Sequence, residues 1–466
     1  MKFINRFKPE LLLLTALSFL TRFWNLFSPR SVVFDEIYFK AYGVDYLSGK
    51  YYFDPHPPLG KLLLGGFAKL AGVNKNLSDT DPAVAMRLLP ALAGALIIPV
   101  VYVLLRQLKA SRRVATLGAA LILLDNALLV ESRFILVDSM LILFTLGSLS
   151  AWLAGRKRKG KSAWSFYILG ALLAGAACST KLTGLTAPAL IGVILLWDAW
   201  KTKRYSAAVI RTVSLVAISF LVYLGTFWVH FRLLPNSGQG DAFMSQKFQS
   251  TLVGNYNYDP SVHMNFWDKF VDLNRAMLNS EKSLESATHP YGSKWYTWPL
   301  ALRPVYYWVG TSGSGTGYIY MAANPLIWWG VIVGALFILS NLISNEKYRK
   351  RSTWGKYLYG CVLLFVGYLA NWLPFSHIKR VMFMYHYLIA LCFSIGLISL
   401  CLGVILGWNE DPEGKPWAVK KMRHKYIYIG ILAIAFLSFL YFAPLTYGSN
   451  LSSEGLNSRM WLGSWR

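Results

Sequence analysis

The chain has few of the residues that define disulfide scaffolds and zinc centres. It holds only 4 cysteines in 466 residues: Cys178, Cys361, Cys392 and Cys401. All lie in or beside apolar runs and none forms a CxxC pair, which argues against a disulfide framework or a cysteine-based metal site. We interpret them as small buried apolar side chains.

Charged residues are also scarce, and acidic ones most of all. They make up 15% of the chain, with 22 acidic against 47 basic residues and a net charge of +25. A positive excess can indicate nucleic-acid binding. Here most cations form short clusters between long apolar runs, as in the cytoplasmic loops of membrane proteins. With a mean hydropathy of +0.40, this pattern predicts a polytopic membrane protein rather than a soluble enzyme.

Eleven apolar runs approach the ~20 residues that cross a bilayer, which predicts an all-α membrane fold. Their approximate bounds are 10–28, 86–105, 114–130, 134–154, 164–179, 184–200, 209–230, 325–344, 357–374, 383–407 and 426–444. The first run could be mistaken for a signal peptide. No A-x-A-like cleavage site follows it and ten further runs do, so we expect a retained helix.

The basic clusters predict the topology. They occur in every second connection, as expected if the N-terminus is cytoplasmic and the C-terminus, after Tyr447, lies outside. We therefore expect one transmembrane domain over 1–466, with a first outer loop at 29–85 and a large outer loop at 231–324. Amphipathic helices in both loops would lie at the interface. An aromatic belt is expected from Trp295, Trp298, Tyr306, Tyr307 and Trp308.

Two adjacent carboxylates, Asp35 and Glu36, follow directly on the first apolar run. Ionisable groups at a membrane boundary are costly to hold and often functional. On a helix the two side chains point about 100° apart and cannot act as a matched pair. One could serve as a general base. The spacing is equally consistent with a structural ion pair to Arg22 or another cation.

His56 lies in the nearby stretch Phe53 to Lys61, where Pro57 and Pro58 restrict the backbone. A metal site formed by His56 with Asp35 or Glu36 is an alternative. No HxxxH pair or carboxylate cluster supports it, so a divalent metal is not favoured.

Five cations break the positive-inside pattern because they lie on the predicted outer face: Lys61, Arg133, Lys181, Arg303 and Arg380. Arg and Lys are the usual ligands of phosphate. Snorkelling to lipid headgroups would explain any one of them. Several cations from separate outer segments favour an anionic, lipid-linked ligand.

Six motifs in order resemble those of protein O-mannosyltransferases. They are Thr21-Arg22-Phe23; Val33 to Glu36 with Phe53 to Lys61; Ser132 to Asp138; Ser179 to Gly184; His289 to Leu300; and Arg380 to Leu388. One departure is Leu182, where the family usually has Trp. The family has a type C glycosyltransferase fold, whose helix number agrees with the eleven runs.

The resemblance implies transfer of mannose from a polyprenyl-phosphate donor to Ser or Thr hydroxyls of secreted or membrane proteins, with inversion and without a cofactor. In that scheme Asp35 is the base and Glu36 supports it. Donor phosphate or sugar would contact Arg22, His56, Lys61, Arg133, Lys181, Arg303, Arg380, Tyr385 and His386. Acceptor binding or loop support is assigned to Asp138, His289, Tyr291 and Trp295. The site would lie on the periplasmic or extracellular face of the plasma membrane.

Fungal and animal members carry a MIR domain in the large outer loop. Fewer than a hundred residues stand there in this chain, so we expect a bacterial-type member without that domain. The main alternative is a related transferase with a lipid or glycan acceptor, such as an aminoarabinose transferase. A transporter or flippase would show paired halves with broken helices at mid-membrane, and no such symmetry is seen.

Overall fold

The computed structural model describes residues 8–73, 82–283, 287–312, 315–418 and 421–466, and it is predominantly helical. The first half holds α1 Pro9–Phe23, α2 Glu36–Ser48, α3 Leu59–Leu70, α4 Leu88–Gln107, α5 Arg112–Leu123, α6 Asn126–Glu131, α7 Asp138–Arg156, α8 Gly160–Thr180, α9 Thr186–Thr202 and α10 Tyr205–Leu233. The second half holds α11 Gln246–Gln249, α12 Phe266–Ser283, β1 Val305–Ser312, β2 Gly315–Met321, α13 Pro325–Ser344, α14 Glu346–Arg349, α15 Arg351–Trp354, α16 Leu358–Ala370, α17 Leu388–Ile405, α18 Met422–Tyr447, β3 Asn450–Leu451 and α19 Ser453–Asn457.

Nine helical stretches in the described parts of the chain are long and apolar enough to cross a membrane. They match nine of the eleven predicted spans. The run at 10–28 forms only the 15 residues of α1. The run at 114–130 is divided into α5 and α6, because the Asp125 carboxylate caps α6 by accepting a 2.9 Å hydrogen bond from Leu128 N. The count of eleven spans therefore stays a prediction.

The centre of the bundle is built on α7, which packs against α4 and α8, while α10 covers the other side of α8. Two glycines of α8 allow this close approach. A Cβ at Gly170 would lie 3.1 Å from the Ser148 carbonyl oxygen, and one at Gly175 would lie 2.8 Å from Ser219 Cα. Small residues at such contacts are the usual means of packing membrane helices closely.

The two segments that are predicted to lie outside contain more secondary structure than the sequence indicated. Residues 29–85 contain α2 and α3, and residues 231–324 contain α11, α12, β1 and β2. An antiparallel sheet in the order β1-β2-β3 joins the second segment to the C-terminal residues. The prediction of an all-α fold missed this sheet. Its β1 holds Tyr306, Tyr307 and Trp308, for which the sequence predicts only a place in an aromatic belt.

The helix connections bring the unusual polar residues to one end of the bundle. α7 begins there with Asp138, and α8 ends there just before Lys181. The stretch after α1 and the turn before α17 meet the same region, because Phe34 contacts Tyr385 with ring centroids 6.4 Å apart. The candidate site is at this end.

Candidate active site

Phe34 sets the direction in which the chain enters α2. Its φ of 50° lies in the left-handed region, which is uncommon for a residue with a Cβ. Stacking on Tyr307, with centroids 4.3 Å apart, and a 3.1 Å bond from Phe34 N to Tyr307 O hold it there. Edge contacts to Phe383 and Tyr385 complete the packing. The next residue, Asp35, is positioned by this packing.

The Asp35 carboxylate stands at the N-terminal boundary of α2, where it is partly buried. It forms no hydrogen bond and no ion pair with another described residue. Burial raises its pKa from 3.8 to about 6. Lys181 opposes that rise, whereas the negative charges of Asp138 and Asp54 add to it. A carboxylate of this pKa is mostly ionised at pH 7 and more basic than an ordinary aspartate.

Glu36, unlike Asp35, has both hydrogen-bond and ion-pair partners, and it is only 1% exposed. Its carboxylate accepts bonds from Arg87 Nε and Nη2 at 2.7 and 2.6 Å. It also accepts the backbone N–H groups of Val33 at 2.9 Å and Ile135 at 2.8 Å. Glu36 thus ties α2 to the segment before α7, and Arg87 is the structural partner that the sequence did not identify.

A cavity of about 430 Å³ lies beside this region. Its polar wall contains His56, Asp138, Lys181, Asn371, Arg380, Tyr385 and His386. The rest is mainly apolar and includes Leu141, Ile142, Leu185, Leu388 and Ile389. Asp35 is not part of the wall, but its charge interacts with Lys181 and Asp138, which are. The cavity therefore combines cations with an apolar surface, as a phosphate on a hydrocarbon chain requires.

Lys181 and Asp138 face the cavity as a pair. Lys181 Nζ lies 2.8 and 2.6 Å from the two Asp138 carboxylate oxygens and 5.4 Å from the centroid of the Tyr385 ring. Arg380, whose Nη1 lies 3.3 Å from the Val381 carbonyl oxygen, is the second cation of the wall. The structure thus brings two of the five predicted outer cations together.

Lys61 lies behind the wall, where it fixes the loop that carries His56. It is 1% exposed, and its Nζ lies 2.8 Å from Asp54 Oδ2. The same Nζ donates to the carbonyl oxygens of His56 at 2.6 Å and Pro57 at 2.8 Å. Because its ammonium group makes these three contacts, Lys61 supports the loop.

His56 is a neutral group at physiological pH. Burial lowers its pKa to about 3, Asp54 opposes this, and the cations Lys181, Lys61 and Arg380 reinforce it. A neutral imidazole can exchange hydrogen bonds with a sugar hydroxyl but adds no positive charge for a phosphate.

Arg133 and Arg22 lie away from the cavity, at the end of α1. Arg133 is 1% exposed and its guanidinium lies 4.5 Å from the Tyr447 ring centroid. It donates to the carbonyl oxygens of Thr21, Arg22, Trp24 and Asn25. Arg22 donates to Thr21 Oγ1 at 2.9 Å and to Leu123 O at 3.3 Å. Cations are favoured where a helix ends with unpaired carbonyls, so Arg133 stabilises the end of α1, and Arg22 connects α1 to Leu123 at the end of α5.

Arg303 also forms its hydrogen bonds away from the cavity. It donates to Pro290 O at 3.1 and 2.7 Å and to Ser464 O at 2.8 Å, and it lies over the Tyr291 ring. It therefore connects the segment 231–324 to the C-terminal residues and is not part of the cavity wall.

The remaining predicted residues of the large outer loop pack against the turn that carries Tyr385. The N–H of Ser293 donates to Met382 O at 2.8 Å. Each predicted residue contacts another ring: His289 with Phe383 at 5.0 Å, Tyr291 with Tyr306 at 5.8 Å and Trp295 with Trp372 at 5.2 Å. These contacts are consistent with the predicted role of the three residues in supporting the large loop.

Glu131 is a buried carboxylate that the sequence analysis did not select. It accepts a 2.6 Å hydrogen bond from Tyr307 Oη. Burial raises its pKa well above the ordinary range, and the charges of Asp138 and Asp35 add to the rise, while the Tyr307 hydrogen bond and Lys181 oppose it. Its position directly before the turn Ser132 to Asp138 is a signal in the sequence that could have identified it.

Metal ligation was the other open interpretation of His56. In the portion of the chain that the structure describes, no group of three or more His, Cys, Asp or Glu side chains could hold a metal ion. His56 is bonded through its backbone N–H to Asp54 Oδ1 at 3.0 Å, and Asp54 is the ion-pair partner of Lys61.

Solved structures share this fold over nearly the whole chain. The Saccharomyces cerevisiae protein O-mannosyltransferase Pmt1–Pmt2 complex bound to the sugar donor matches with a TM-score of 0.87 and 19% identity, covering 98% of this chain and 92% of that one. The Archaeoglobus fulgidus oligosaccharyltransferase matches with a TM-score of 0.54 and 12% identity, covering 97% and 57% of the two chains. The fold is thus that of membrane glycosyltransferases.

Curated relatives match about half of the chain in sequence. Protein O-mannosyltransferase 1 of Drosophila melanogaster is 38% identical over 261 residues, which are 52% of this chain and 30% of that protein. Dolichyl-phosphate-mannose–protein mannosyltransferase 4 of Schizosaccharomyces pombe is 34% identical over 288 residues, or 57% and 37%. The matched region is about a third of the length of these relatives.

Two family models cover most of the sequence. The model of dolichyl-phosphate-mannose-protein mannosyltransferase matches residues 12–235, and the C-terminal four-helix region of protein-O-mannosyltransferase matches residues 266–465. The first range contains Asp35, Asp138 and Lys181, and the second contains Arg380 and Tyr385. The chain is a multi-pass membrane protein and belongs to the protein O-mannosyltransferase family.

Proposed function

We propose that this chain transfers mannose from a polyprenyl-phosphate carrier to Ser or Thr hydroxyls of proteins, with inversion at the anomeric carbon. One observation carries the proposal. Asp35 is a partly buried carboxylate without a hydrogen-bond or ion-pair partner among the described residues, and it lies next to a cavity with two cations in its wall. Family membership supplies the substrate class.

The reaction needs one base and a stabilised leaving group. The acceptor oxygen attacks the anomeric carbon while its proton passes to an Asp35 carboxylate oxygen. The bond from the anomeric carbon to the phosphate oxygen breaks, and its electron pair leaves with the polyprenyl phosphate. That phosphate gains negative charge, which Lys181 and Arg380 would stabilise. No general acid is needed, since a phosphate leaves readily as an anion.

The two carboxylates would then have separate tasks. Asp35 accepts the proton, and Glu36 holds α2 in place through Arg87 and two backbone N–H groups. Asp138 would orient Lys181. Neutral His56 would contact a sugar hydroxyl, and the apolar residues of the wall would contact the first isoprene units of the donor.

We place this activity at the plasma membrane, with the site on the periplasmic or extracellular face. The support is the basic connections at the opposite ends of the helices, which the positive-inside rule assigns to the cytoplasm. The end with Asp35 then faces outside.

The function is tested with purified full-length protein, radiolabelled polyprenyl-phosphate mannose and a Thr-rich peptide. We expect label on the peptide. Label found only on a lipid or glycan acceptor would contradict the proposal in favour of the alternative transferase. We also expect transfer to persist after exhaustive chelation of divalent metals. If chelation abolished transfer and an added divalent metal restored it, the metal interpretation would be favoured again.

The transfer rate should depend on pH through Asp35. The folded pKa of this carboxylate is about 6, and only its ionised form accepts a proton. We therefore expect kcat/KM to be constant above pH 7 and to fall about tenfold per unit well below pH 6. A pH profile at low donor concentration measures this. A profile that stays flat down to pH 5 would mean that no group of this pKa acts as base.

Replacing Arg380 by Gln should weaken donor binding. A charge-assisted hydrogen bond contributes about 1.5–3 kcal/mol, which corresponds to an increase in donor KM of roughly 10- to 100-fold. Arg303→Gln is the matched control, because Arg303 is bonded to the carbonyls of Pro290 and Ser464. Equal effects of the two substitutions on donor KM would rule out a specific role for Arg380.

A further inference from the structure

A second concave surface lies at the other ends of the helices that build the candidate active site. It has a volume of about 550 Å³ and is formed by the end of α7, the start of α8, the end of α9 and the start of α10. The 19 residues of α7 place it roughly 28 Å from Asp138, at a rise of about 1.5 Å per residue. This distance is close to the thickness of the hydrocarbon core of a bilayer.

The lining of this surface is strongly cationic. It contains Arg156, Arg158, Lys159, Arg204 and Arg211 but a single acidic residue, Asp198. Asp198 forms an ion pair with Arg156, in which Nε and Oδ2 lie 2.8 Å apart. Among the described residues, none of the other four cations forms an ion pair. The site therefore retains a large positive charge after its own acid is neutralised.

Aromatic rings hold two of these guanidinium groups in place. Arg158 lies 3.9 Å from the centroid of the Phe166 ring, and Arg211 lies 4.9 Å from that of Tyr167. Such stacking orients a guanidinium while leaving N–H groups available in the ring plane, and in Arg158 one of them, on Nη1, donates to the Ala154 carbonyl oxygen at 2.7 Å. At the rim, burial lowers the pKa of Lys157, and Lys109, Arg106, Arg156 and Arg158 lower it further. The local field is thus positive.

Membrane topology alone explains cations in these connections, but it does not explain their arrangement. Cations from the α7–α8 turn, the α9–α10 turn and the second turn of α10 surround one cavity. Its floor contains buried apolar residues, namely Ala163, Leu195 and Ala199. Exposed apolar side chains continue from it along α8: Trp164, Ile168, Leu169 and Leu172. A cationic rim beside an exposed apolar strip matches a molecule with an anionic head and hydrocarbon chains.

We propose that this surface binds the phosphate headgroup of an anionic glycerophospholipid from the leaflet opposite the candidate active site. Basic pockets between membrane helices commonly recognise such headgroups. The phosphodiester would lie between Arg204 and Arg211, with Lys159 at the rim, and an acyl chain would follow the apolar strip of α8. The site is separate from the transfer reaction.

The test uses the full-length protein in detergent, titrated with phosphatidylglycerol or with phosphatidylcholine of the same acyl chains. A bound lipid raises the apparent melting temperature, so phosphatidylglycerol should raise it more than phosphatidylcholine. In the variant K159Q/R204Q/R211Q, roughly 100-fold more phosphatidylglycerol should be needed for the same shift, since each cation contributes on the order of fivefold. Arg156 is kept because its removal would leave Asp198 unpaired.

The matched control is K161Q/K203Q/K356Q, which removes the same charge from exposed positions outside the cavity. It should respond to phosphatidylglycerol like the wild type. Equal responses of the two triple variants, no preference for phosphatidylglycerol, or an equal shift with inorganic phosphate would each overturn the proposal. If the triple variant does not fold in phosphatidylcholine, R204Q alone should still require about fivefold more phosphatidylglycerol, and an unchanged titration of R204Q would overturn the proposal as well.

Discussion

Asp35→Asn should reduce kcat for mannose transfer by about 10²- to 10⁴-fold, the range that a general base contributes. The amide cannot accept the acceptor proton, and no other described carboxylate takes its place. Glu36 is bonded to Arg87, Asp138 is paired with Lys181, and Glu131 is bonded to Tyr307. Initial rates with radiolabelled donor and a Thr-rich peptide measure the effect.

The control for this loss is Asp45→Asn. Asp45 is on the same helix, and its pKa is also raised to about 6, mainly by burial and against the opposing charge of Lys50, but it lies outside the cavity wall. It should keep nearly full activity. If Asp35→Asn retained full activity, or if both variants lost activity equally, Asp35 would not be the base.

Loss of activity in Asp35→Asn should not come from unfolding. The folded pKa of about 6 exceeds the ordinary aspartate pKa of 3.8, so the folded state binds the proton more tightly than the unfolded state. Ionised Asp35 therefore destabilises the fold increasingly as pH rises from about 4 through 6. Asparagine removes this cost, and the variant should melt at the same or a higher temperature than the wild type at pH 7. A lower melting temperature would show that Asp35 has a structural role.

Glu36→Ala should cost about 3–5 kcal/mol of stability, because it leaves the buried Arg87 guanidinium without its carboxylate. Two backbone N–H groups, of Val33 and Ile135, would also lose their acceptor. The apparent melting temperature in detergent, followed by size-exclusion chromatography after heating, measures this. Transfer activity should fall with the amount of folded protein.

The matched control for Glu36 is Glu346→Ala. Glu346 forms an ion pair with Lys350 in which the two side chains are 71% and 61% exposed. Such surface pairs contribute roughly 0–1 kcal/mol, so this variant should melt close to the wild type. A Glu36→Ala protein of normal stability but without activity would instead place Glu36 in the chemistry.

The sequence was sufficient to predict the membrane class and the family. Apolar runs indicate spans directly, and nine helices match the predicted ones. The runs at 10–28 and 114–130 form shorter helices, and each contains polar residues. Asp125 ends one helix and caps the next, and a hydropathy pattern does not resolve such a break. The strands escaped prediction because Tyr306 to Trp308 are typical both of a membrane interface and of a sheet.

The cations were harder to assign from sequence. The charge pattern predicts which of them lie on the outer face, but it does not indicate their partners. Lys181 and Arg380 line the cavity. Arg133 binds carbonyls at the end of α1, and Lys61 binds Asp54 and the carbonyls of its own loop. The positions of those carbonyl groups depend on the backbone conformation, which residue types alone do not reveal. Arg87 was missed for another reason, because its partner Glu36 is 51 residues away in the sequence.

The most direct test of the account compares donor binding with transfer in Asp35→Asn. Equilibrium binding of radiolabelled polyprenyl-phosphate mannose to the purified variant should stay within about threefold of the wild type, since Lys181 and Arg380 are intact. Single-turnover transfer by the same sample should be at least roughly 100-fold slower. Transfer at the normal rate, or a loss of donor binding as large as the loss of transfer, would contradict the assignment of Asp35 as the base beside a separate phosphate site.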